Sequence, residues 1–127
     1  MIKEVSNLLP SYASVFNSGS TGWLDSQIDK LDKNAYKNYL ANYCDTVLSE
    51  LDGGEKWLSV DSYPIKKDKS LSPYFLFDLA MLKTTALYYD AHSHIALQAC
   101  GWKEGTSTTM YRMPTEAEMR MQAYAAM

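Results

Sequence analysis

The stretch SPYFLFDLAMLKTTALYYDAHSHIALQACG, residues 72–101, decides how the rest of the chain is read. Ser72 is a natural N-cap, Pro73 falls where proline is tolerated at the first helical position, and Gly101 offers a stop after Cys100. No glycine or proline interrupts the residues between them. The spacing predicts one helix over 73–100, roughly 40 Å long at 1.5 Å per residue. Its apolar residues are not confined to one stripe. Leu76, Leu79, Ala80, Leu87 and Ala91 share the helix with Phe75, Phe77, Met81, Leu82, Tyr88, Tyr89 and Ile95. A helix apolar nearly all round is expected to be covered by neighbours on several sides.

Upstream, Tyr36, Tyr39, Leu40, Tyr43, Val47, Leu48 and Leu51 recur at spacings of three and four. They predict a second helix over 34–51, capped by Asp32 or Asn34 and ended by Gly53-Gly54. A shorter turn at Leu24, Ile28 and Leu31 leads into it. Residues 55–71 read as a connector, with Trp57, Leu58 and Val60 docking on the helices and Lys66, Lys67 and Lys69 forming a solvated basic loop. Downstream, Thr106–Arg112 favours extended structure, and Thr115-Glu116-Ala117-Glu118 is a capping box that announces a final helix to about Ala126.

Residues 1–22 read as an arm: a short helix of Ile2, Val5, Leu8 and Leu9 stopped by Pro10, then a linker from Ser11 to Gly22. Gly19-Ser20-Thr21-Gly22 lacks the Gly-Lys-Ser/Thr ending of a phosphate loop. The expected architecture is all-α, a small helical bundle with one long central helix. Three parts are expected: an arm at 1–22, a helical core at 23–101, and an extended loop with a helical tail at 102–127.

Composition narrows the partners. The chain has 127 residues, with 12 Lys+Arg against 15 Asp+Glu and a formal charge of −3. Arg112 and Arg120 are its only arginines, which argues against sequence-specific nucleic-acid reading. No run of 18 apolar residues predicts a membrane span. Met1-Ile2-Lys3-Glu4 lacks the charged and apolar regions of a signal peptide, so a secreted protein is not expected. Cys44 and Cys100 are expected to be buried free thiols.

One segment invites a metal or catalytic reading, Asp90-Ala91-His92-Ser93-His94. On a helix Asp90 and His94 share a face, while His92 points about 200° away, so the three cannot converge on one ion. The expectation is a helix-stabilising Asp90–His94 pair, with no metal, no cofactor and no catalytic residue. A metal-dependent enzyme would need this helix to break near residue 90, or a second chain to supply ligands. Neither cysteine has the electropositive setting of a nucleophile, and Glu116 and Glu118 are explained by capping. Asp25, Asp29 and Asp32 lack the glycine and closing Glu of a calcium loop.

Ten tyrosines, three tryptophans and seven methionines make a chain rich in interface-type residues. Trp102, Met110, Tyr111, Met113, Met119, Met121 and Tyr124 lie outside the two main helices and are the candidate partner or oligomer contacts. They predict a non-enzymatic structural subunit of a homomeric assembly. The alternative is a small helical adaptor that binds a partner helix.

The layout resembles the small head–tail connector (adaptor) proteins of tailed bacteriophages. The matching parts are the helix Pro73–Cys100, the loop 101–113 and the tail Pro114–Met127. The resemblance implies a ring in the virion, assembled in the host cytoplasm, with portal and tail components as partners. A weakly acidic conduit also suits DNA passage, since it does not grip its cargo.

Overall fold

A computed structural model of the chain describes residues 10–18, 33–51, 54–68, 70–72, 74–103 and 110–127. In chain order the elements are β1 (Ser11–Val15), α1 (Lys33–Tyr43) with a π-helical turn at Cys44–Leu48, β2 (Lys56–Asp61), α2 (Phe75–Tyr88), β3 (His92–Ala96), β4 (Trp102–Lys103), β5 (Met110–Tyr111) and α3 (Glu116–Ala126). Strands β1, β2 and β3 form a parallel sheet in that order. The fold is therefore α/β, which corrects the all-α bundle expected from helical periodicity.

The correction turns on residue 90. Helix α2 stops at Tyr88, well short of Cys100. Ala91 N–H donates to Ala86 O at 2.8 Å, Asp90 N–H donates to Leu87 O at 3.4 Å, and Asp90 itself takes φ 50°. That is a Schellman closure with aspartate in the left-handed position that glycine usually fills. Five residues, His92–Ala96, then extend and pair with β2. Ser72 does act at the start of α2, its Oγ accepting from Tyr74 N–H at 3.4 Å. Gly101 ends no helix. A Cβ there would lie 2.7 Å from Met113 N and 2.8 Å from Arg112 C, so the close approach of that backbone requires glycine.

The segments expected to be linker and connector are the other two strands. In β1, Ala13 and Val15 are buried while Tyr12 and Ser14 are exposed; in β2, Leu58 and Val60 are buried between less buried neighbours. The register sets Ala13 beside Leu58 and Val15 beside Val60, and β2 continues the row with Val60 beside Ile95. Against this face pack Tyr36, Leu40, Cys44 and Leu48 of the first helical segment with Leu82 and Ala86 of α2. A stride of four drifts by about 40° per step on a regular α-helix. The wider π turn, closed by Ser49 N–H to Cys44 O at 2.9 Å, offsets that drift and keeps Leu48 on the core face.

Polar clasps join the layers. Tyr36 Oη donates to Phe16 O at 3.0 Å, and Phe16 N–H donates to Tyr39 Oη at 3.1 Å, so two tyrosines of α1 hold the chain as it leaves β1. Asp78 of α2 is buried beneath the strand ends, accepting from Ser18 N–H and Ser62 Oγ, both at 3.0 Å. Helix α3 carries the expected capping box at Thr115 and Glu118. Its docking is less expected. Buried Gln122 pairs with the backbone of buried Gln98, so α3 lies against the body where a tail reaching outward was anticipated.

Candidate functional site

Two surfaces of the described residues carry chemistry or unspent apolar area. The first is the sheet face turned away from the helices. With strand order 1-2-3, crossovers of one hand place both helices on the same side, and α1 and α2 do share the face of Leu58 and Val60. On the opposite face the register aligns Tyr12, Trp57 and His92 in one row, and Ser14, Ser59 and His94 in the next. Tyr12 stacks on Trp57 with centroids 5.7 Å apart, and Trp57 lies against His92 at 4.7 Å. Tyr12 also meets His94 edge-on at 5.7 Å. His94 Nδ1 and Ser59 Oγ are hydrogen-bonded at 2.9 Å. Parallel sheets are ordinarily covered on both faces, yet Tyr12, His92 and His94 are exposed.

This geometry replaces the expected helical Asp90–His94 pair. Asp90 occupies the turn, while His92 and His94 stand two residues apart on one strand and so on one face. Among the described residues no carboxylate meets the His94 ring, and the Asp61 carboxylate accepts instead from Tyr63 Oη at 3.0 Å. No group of three His, Cys, Asp or Glu suited to a metal occurs among the described residues.

The second surface is the outer side of α2. Phe75, Asp78, Leu82 and Ala86 face inward, which leaves Leu76, Ala80, Lys83, Thr84, Leu87 and Tyr88 as an outward stripe. Leu76 is 60% exposed, Leu87 71% and Tyr88 83%. Between this stripe, the free side of β3 and the end of α3 lies a cleft of about 270 Å³, lined by Leu76, Ala80 and Lys83 together with Ser93–Ile95 and Ala125–Met127.

The contact residues expected from sequence scatter over this body. Met113 and Tyr124 are exposed, at 63% and 75%. Met119 and Met121 are half-buried on α3, and Met119 Sδ accepts from Gln122 Nε2 at 3.8 Å. Tyr111 is half-buried, bridges Lys66 and sets its ring edge-on to Tyr63 at 6.2 Å. Trp102 and Met110 belong to the short antiparallel pair β4–β5, where Trp102 is opposite Tyr111.

The remaining sequence features resolve into structure. The basic loop is a tight turn in which Asp68 Oδ1 accepts from Ser70 N–H and Ser70 Oγ, bonds that hold its carboxyl below the ordinary range. Lys69 and Pro73 lie outside the described residues, as do the short N-terminal helix, the Gly19–Gly22 run and the turn at Leu24–Leu31. Both cysteines are free thiols. Burial, with Asp45 adding to it, pushes the Cys44 thiol up to about 11, as expected for an inert core sulfur. Cys100 is exposed, correcting the expectation that it is buried. No helix among the described residues is long and apolar enough to cross a membrane.

No protein-family model matches the sequence, and no curated protein and no solved structure matches it. The outer sheet row and the α2 stripe therefore stand on their own chemistry.

Proposed function

We propose that the protein is a non-enzymatic structural subunit of a homomeric assembly, joined through the outer stripe of α2 and the adjoining end of α3. One observation carries the reading. Leu76, Leu87 and Tyr88 leave most of their surface uncovered on a helix whose opposite side already fills the core, and Met127 across the cleft is 86% exposed. Exposed apolar area of this kind is what a neighbouring subunit buries, at about 25 cal/mol per Å². The virion head–tail connector, with portal and tail proteins as partners, is one assembly of this class. The continuous helix that suggested it ends at Tyr88. What supports it now is the uncovered stripe and the weak negative charge, neither of which is particular to a connector.

The test places charges where the helix dipole tolerates them: Leu76→Glu in the first turn and Leu87→Lys in the last. Light scattering over a concentration series is expected to give a closed oligomer for the wild type and monomers for both variants, with unchanged helical content. A wild type that is monomeric throughout would overturn the homomeric reading and favour an adaptor that takes a partner helix on the same stripe.

A further inference from the structure

We propose that His92 and His94 chelate one divalent transition-metal ion of the imidazole-seeking series Ni²⁺, Cu²⁺ and Zn²⁺ on the outer face of the sheet. The two histidines share a face of β3 because side chains alternate along a strand. Same-face neighbours stand about 6.6 Å apart along a strand, a span two imidazoles can close around one ion with metal–nitrogen bonds of about 2.0–2.1 Å. The same pair on a helix would point to opposite sides, so the site exists only because α2 stops at Tyr88 and Asp90 turns the chain out of it.

The surroundings are organised for ligation. Ser59 Oγ lies 2.9 Å from His94 Nδ1. When Nδ1 carries the hydrogen and donates it to the serine, the lone pair of Nε2 is left free for a metal, the serine standing where a carboxylate, carbonyl or water stands behind other ligating histidines. On the other side the Trp57 ring, 4.7 Å from that of His92, restricts how the first imidazole can rotate. Tyr12, edge-on to His94, does the same for the second. Both histidines are exposed in the single chain, His94 at the margin of the cleft beside α2, so an ion reaches them directly there, and water completes its coordination. Imidazole nitrogen ranks Cu²⁺ and Ni²⁺ above the earlier divalent metals.

Calorimetric titration of Ni²⁺ into the full chain tests the site, in a Cys100→Ser background so that the exposed thiol does not compete. One equivalent per chain is expected. His92→Ala and His94→Ala should each weaken binding at least tenfold. Ser59→Ala should weaken it by about tenfold or more through loss of the orienting bond. All four side chains face outward, and circular dichroism checks that the variants fold. Paramagnetic Ni²⁺ is also expected to broaden the ring signals of both His92 and His94. Absence of saturable binding would overturn the proposal. So would binding unchanged in the double histidine variant, or binding that depends on one histidine alone.

Discussion

Gln98 and Gln122 close a two-bond ring: the Gln98 N–H donates to Gln122 Oε1 at 3.0 Å, and Gln122 Nε2 returns a bond to Gln98 O at 3.2 Å. The Gln98 side chain repeats the pattern elsewhere, accepting from Ile65 N–H at 2.8 Å and donating to Ile65 O at 3.0 Å and Arg112 O at 2.9 Å. Two buried side-chain amides thus do the joining that backbone pairing does in a sheet, and they seat α3 on the body.

Gln122→Ala leaves the buried N–H and C=O of Gln98 without those partners, and a loss on the order of 3 kcal/mol is expected. Urea denaturation measures it. Hydrogen exchange should localise the faster opening to 116–126 and to the strand end at Gln98.

The ion pair of Arg112 with Glu118 makes docking acid-sensitive. Its bonds, with the capping contacts of Thr115, hold the Glu118 carboxyl down from 4.5 to about 2. A depressed carboxyl stabilises the fold above its unfolded value and loses that contribution as pH falls through the folded one. The stability gap between wild type and Glu118→Gln should therefore be full above pH 4.5 and close as pH falls towards 2. Denaturant midpoints along a pH series read the gap.

Asp78 has the opposite sign. Burial raises its carboxyl above the ordinary range, and the bonds from Ser18 and Ser62 offset that only in part. The folded chain holds the proton more tightly than the unfolded one. Its contribution is full below the ordinary carboxylate range and fades as pH rises through the raised value. Asp78→Asn should remove this fading while keeping an acceptor for Ser18 N–H. Asp78→Ala should destabilise on the order of 3 kcal/mol by stripping both buried bonds. Paired urea titrations from acid to neutral pH check both.

Gly101→Ala should destabilise by about 1–3 kcal/mol, because its Cβ would press on backbone atoms that cannot yield as a side chain does. The change in thermal midpoint measures it, and Gly101→Ser should behave alike.

The helices were easier to read than the strands for a physical reason. Tyr36 and Leu40 of α1 and Leu48 of the π turn after it share one repeat, and Thr115 with Glu118 marks the start of α3, so period and cap agree. In β2, the alternation Trp57-Leu58-Ser59-Val60 was available as a strand signal, but the segment is short and flanked by turn residues. β1 mixes serine and alanine with its apolar positions, which weakens the same signal. β3 was hidden by the helix before it. Apolar residues run without a glycine from Phe75 into Ile95, and the actual break is an aspartate at positive φ, uncommon for a side-chain-bearing residue. The outer row of Tyr12, Trp57 and His92 could not be foreseen, since it exists only in the register of three strands.

Both functional proposals depend on that break, because it ends the stripe of α2 and places both histidines on one side of a strand. Nuclear Overhauser contacts at residues 88–96 test it most directly. The expected result is cross-strand contact of Ser59 with His94 and of Trp57 with His92, and no helical contact between Asp90 and His94. A continuous series of i to i+3 and i+4 contacts from Tyr88 through Ala96 would contradict the parallel sheet and, with it, the metal site.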